Sequence, residues 1–168
     1  QHDVVILDAP ATGHATSMLS SVAGLLDIVE GGPIREQALD VERLLMNADR
    51  CGAVVVTTAE TTPVNESIEL ISAIREVGVA LAGAVVNAIE PDELLTGLSN
   101  EDLAGLPSAV ADTIRAAIDR HENSSSDIER FVEALEIEAT QVVKLPTAEL
   151  GRDHISDLAV AAFEETGS

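Results

Sequence analysis

Four short apolar runs rich in β-branched residues punctuate the chain: Val4-Val5-Ile6-Leu7, Ala53-Val54-Val55-Val56-Thr57, residues 81–86, and Thr140-Gln141-Val142-Val143-Lys144-Leu145. Three lack the alternation of a strand with one wet face. Continuous apolar runs of this length fit parallel strands covered by helices on both faces, so the pattern predicts an α/β fold with a mostly parallel sheet of about four strands. The fourth run is more mixed and is placed nearer an edge. Between the runs the apolar spacing changes to three and four. Residues 35–49 set Ala38, Val41, Leu44, Leu45 and Ala48 on one face of an amphipathic helix. From Pro63, with Thr62 as cap, Val64, Ile68, Ile71, Ile74 and Val77 repeat until Gly78 stops the helix.

The connection over residues 90–139 is too long for a single crossover and predicts a helical insertion. It holds two capping boxes, Ser99 with Asp102 and Ser126 with Glu129. Val110, Ile114 and Ile118 form one stripe, and Ile128, Phe131, Val132 and Leu135 another. The polar residues 121–126 between them read as a turn. A last helix over residues 152–164 is expected to bury Ile155, Leu158, Ala159, Ala162 and Phe163. No internal repeat or interdomain linker breaks the pattern, so all 168 residues read as one domain.

Charge narrows the function classes. Thirty acidic side chains against nine basic ones give a formal charge of -21, which repels a phosphodiester backbone. With two Phe and no Trp or Tyr there is almost nothing on which nucleobases could stack, so nucleic acid is excluded as a partner. Cys51 is the single cysteine, which rules out an internal disulfide and a cysteine-rich metal site and fits a reducing cytosol. The longest apolar run, residues 79–86, is far short of the ~20 residues that span a bilayer. The chain lacks an initiator Met and enters an apolar run at its fourth residue, which suggests the C-terminal part of something longer.

Candidate chemistry concentrates after the first run, in Asp8-Ala9-Pro10-Ala11-Thr12-Gly13-His14. A carboxylate at the carboxyl end of a parallel strand can hold a magnesium-bound water beside a phosphate, and Gly13 allows close backbone approach. The same residues also suit a turn in which Asp8 caps, Pro10 stiffens and His14 lies exposed. His2, His121 and His154 share no metal-ligand spacing and read as surface residues.

This segment, Asp followed after three residues by Thr-Gly-His, resembles switch II of the arsenical-pump and tail-anchored-protein-targeting ATPase family. Further segments agree in order: residues 32–37 with Leu44-Leu45, Val56-Thr57-Thr58-Ala59-Glu60, Val85-Val86-Asn87, and Leu145-Pro146. The resemblance implies a nucleotide-binding fold of the P-loop type and the cofactors ATP and Mg2+. It makes Asp8 the switch II aspartate near magnesium, contacting the metal through water. Gly13 and His14 become the part of the switch that moves when the terminal phosphate is lost. Asn87 resembles the family's adenine-contacting asparagine, and the loop from Pro146 to Gly151 resembles the segment that closes over the base, with Leu145-Pro146 carrying the match. Glu60 matches a family position without an assigned role. The resemblance further implies a cytoplasmic protein, or one peripheral at the membrane, that works as a homodimer or heterodimer. A membrane-protein partner or client would follow.

The phosphate-binding loop of that family is absent. Lys144 is the sole lysine, preceded by Val143 and followed by Leu145, so no Gly-Lys-Ser or Gly-Lys-Thr exists in these residues. The switch I segment is missing as well. Two readings result: the C-terminal portion of an ATP-hydrolysing domain, inactive alone, or a noncatalytic binding or regulatory subunit derived from the family.

Overall fold

A computed structural model describes residues 3–10, 12–91, 100–145, 147 and 149–164. In chain order it runs α1 (Thr12–Ile28), α2 (Pro33–Leu45), β1 (Ala53–Thr58), α3 (Thr61–Val77), β2 (Leu81–Ile89), α4 (Asn100–Ala104), α5 (Ser108–Ala134), β3 (Ala139–Val143) and α6 (Arg152–Glu164). The strands form a parallel sheet in the order β1-β2-β3. The fold is therefore α/β with helices on a parallel sheet. Two compact units divide the residues, 1–55 with 66–82 and 56–65 with 83–168.

In the first unit α1 packs on α2. Leu19, Val22 and Ala23 of α1, Leu45 and Met46 at the end of α2, and Val77 of α3 surround a void of about 30 Å³. The turn between α1 and α2 is fixed by Arg35. Its guanidinium donates to the carbonyls of Leu26 and Val29, both at 2.7 Å, and so satisfies acceptors that the end of α1 leaves open. Ile71 and Ile74 of α3 are buried here, as their helical stripe implied. Gly52 precedes β1 where a Cβ would meet that of Ala82 at 2.6 Å, so only glycine permits this approach.

In the second unit Val64, Val86 and Phe131 are wholly buried, and Ala84, Ala111, Leu103 and Leu135 are buried as well. β2 and β3 pair from Ala84 opposite Ala139 to Val86 opposite Gln141, and again at Ile89 opposite Val143. α6 packs against β3. Among the described residues no helix is long and apolar enough to cross a membrane.

Several expectations change. Among the described residues the sheet has three strands, because residues 4–7 join none of them and are between 70% and 90% exposed. An apolar run becomes a strand only where a neighbour takes its backbone hydrogen bonds, and none of the described residues does so. β1 is covered on one face only: Val55 and Thr57 are buried while Val54 and Val56 are exposed. Residues 12–14 form the first turn of α1, so Gly13 is helical and needs no special conformation.

The helices differ as well. Residues 121–126 continue α5 without a break. They contain neither glycine nor proline, and the Ser125 hydroxyl donates back to the His121 carbonyl at 3.1 Å, so the polar run has no means of ending a helix. Ser126 is thus mid-helix, and Ser99 lies outside the described residues. In α2, Ala38 and Leu45 face inward while Val41 and Leu44 are exposed. In α6, Ile155 and Ala159 are exposed and Leu158 is half-buried, because β3 covers only one side of the helix.

Candidate functional site

The carboxyl ends of the three strands lie in the second unit, where open parallel sheets bind ligands. β1 ends at Thr58 and passes through Ala59 and Glu60 into α3. Near the end of β2 the register slips: three steps from Val86 to Ile89 face two from Gln141 to Val143. The extra residue makes a bulge. Within it the Asn87 carboxamide oxygen accepts the Ala88 N–H at 2.9 Å, and Ala88 adopts φ 58°. A non-glycine residue held in that region costs on the order of 1 kcal/mol or more, and such positions cluster at functional sites.

β3 ends beside this bulge. The Lys144 N–H donates to the Ile89 carbonyl at 2.8 Å, and its ammonium pairs with Glu90 at 2.5 Å. Both side chains are more than half exposed, so the ion pair contributes little energy but ties two strand ends together.

These ends open onto a cavity of about 890 Å³, within the usual range for a small-molecule or cofactor site. Thr58 to Thr61, Ala88 to Pro91, Val143 and Lys144 line it from the sheet side. α5 closes another side with Ala117, Arg120, His121, Ser124, Asp127 and Ile128. Asp127 is buried and fully engaged. It accepts from the Thr61 hydroxyl at 2.8 Å and from Arg130 at 2.9 Å, and Arg130 reaches on to Asn65. The first turn of α3 is thereby fixed to α5 by charge-assisted bonds, and Asp127 is not left as a lone buried charge.

The sequence candidates fall in two places. Asp8 is exposed ahead of α1 in the first unit, and Gly13 and His14 are exposed in the first turn of α1. Asn87 and Leu145 belong to the second unit, each adjacent in sequence to a residue that lines the cavity, Ala88 and Lys144. Pro146 lies outside the described residues. Glu60, whose role was unassigned, lines the cavity. Cys51 is a half-buried free thiol of the first unit.

Residues 120–128 of α5 were missed as a site. The signal was present: residues 121–126 are all polar yet lack a helix breaker, as expected of a helix segment facing water or a ligand. Among the described residues, no three His, Cys, Asp or Glu side chains gather as a metal site. A magnesium ion held by one or two carboxylates relies otherwise on water and ligand phosphates, so Asp8 alone does not build such a site.

No protein-family model matches the chain. Three curated mycobacterial proteins match 122 of its residues at 27% identity: "ATPase BagA" and "Putative ATPase MT3781" of Mycobacterium tuberculosis, and "Putative ATPase Mb3704" of Mycobacterium bovis. The chain is related in sequence to proteins named ATPases. The match takes in 70% of this chain and 34% of each relative, so the chain spans about a third of the length of the curated relatives it matches.

Proposed function

We propose that this chain carries the adenine-binding side of an ATP-binding and ATP-hydrolysing domain of the arsenical-pump and tail-anchor-targeting type. The observation that carries the reading is the cavity at the ends of three parallel strands, flanked by the Asn87 bulge and the Lys144-Leu145 strand end. The relatives' ATPase names and the Thr12-Gly13-His14 segment support it. Asn87 would contact the base once its carboxamide turned from the Ala88 N–H, and Leu145 and Pro146 would cover it. Asp8, Gly13 and His14 would act as switch II in a dimeric ATPase, with magnesium reached through water and bound phosphates. A membrane-protein partner or client belongs to the same proposal. The missing Gly-Lys-Ser/Thr loop favours a second reading for the 168 residues by themselves, a module that binds nucleotide without hydrolysing it.

Asn87→Ala tests the base contact. Loss of one neutral hydrogen bond should weaken ATP and adenosine alike, by about three- to tenfold in NMR titrations. Unchanged affinity for both would remove Asn87 from the site.

A further inference from the structure

Three helical arginines are neutralised within their own helices. Arg43, Arg115 and Arg130 each pair with an aspartate three residues earlier, Asp40, Asp112 and Asp127, at 2.9 to 3.0 Å. Arg120 has Ala117 and Ala116 at the corresponding positions, so its own helix offers no acid to neutralise it. It makes no side-chain hydrogen bond or ion pair among the described residues, and it lines the cavity. Of the other charged groups there, Lys144 is held by Glu90 and Asp127 by Arg130 and Thr61, while the exposed Glu60 carboxylate also lines the cavity.

We propose that Arg120 receives the phosphate chain of the nucleotide bound in this cavity. The inference rests on the adenine-nucleotide reading and extends it to a residue of the helical insertion. A chain of formal charge -21 repels an incoming polyphosphate, so a local cation is needed to hold one. A guanidinium suits that role because its planar fork donates to two phosphate oxygens at once. Asn123 and Ser124 also line the cavity, three and four residues further along the helix, and add neutral donors on the same side.

Affinities of ATP, ADP and adenosine for the full chain, measured by NMR titration of wild type, Arg120→Gln and Arg120→Lys, test the proposal. Glutamine keeps helix propensity at an exposed position, and equal far-UV circular dichroism would verify the fold. Arg120→Gln should weaken ATP and ADP about tenfold or more, leave adenosine unchanged, and be partly rescued by Arg120→Lys. Equal ATP affinity in wild type and Arg120→Gln would overturn the assignment while leaving the nucleotide site standing. Equal weakening of adenosine and ATP would overturn it too, by placing Arg120 at the base or in the scaffold. Failure of the wild-type chain to bind any of the three would instead overturn the underlying reading.

Discussion

Phe131→Ala should destabilise the chain by about 3–5 kcal/mol in urea unfolding, the cost of emptying a large buried aromatic site. Phe131 is 0% exposed, and its carbonyl accepts the Leu135 N–H that closes α5. It follows Arg130, so loss of packing there also loosens the bonds that join α5 to the first turn of α3. Val132→Ala is the control, because Val132 is 39% exposed on the same turn and removes much less buried surface. Equal effects at the two positions would show that residue 131 is not the centre of this core.

The purified 168-residue chain should release no phosphate from ATP in the presence of magnesium. Phosphoryl transfer depends on cations and donors placed where charge develops. The sole lysine is a strand-end residue paired with Glu90, with no hydroxyl residue beside it. Arg120 can bind a phosphate without supplying the backbone cradle of a phosphate loop. A steady-state phosphate-release assay checks this. Turnover above that of an Asp8→Ala control, with contaminating ATPase excluded, would contradict it.

The sequence made the α/β class legible because its strongest signals are local. Val64, Ile71 and Ile74 repeat at helical spacing and are buried, and the runs at 53–57, 81–86 and 140–145 overlap the three strands. What it could not convey depends on partners far along the chain. Residues 4–7 have the composition of a strand, but pairing is a property of two segments, and no described residue pairs with them. Val54 and Val56 read as covered because covering is likewise decided by a second element. The polar run at 121–126 has the composition of a turn, but a turn also needs a residue that breaks the helix.

Part of the cavity lining, Thr58, Ala59 and Glu60, falls in a segment that the sequence singles out. Asn87 and Leu145 were reached through segment order, and both stand next to cavity-lining residues. Arg120, Thr61 and Asp127 were not, because their meaning arises when α5 meets the strand ends. The i−3 aspartates that neutralise Arg43, Arg115 and Arg130 are visible in the sequence, but the cavity that Arg120 lines is not.

Amide chemical-shift mapping of the chain during titration with ATP tests the central claim most directly. The account predicts saturable shifts at residues 58–61, 87–91, 120–128 and 143–145, with adenosine reproducing those near Asn87 and Leu145 but not those around Arg120. No saturable shift with ATP, or shifts confined to residues 13–46, would contradict it.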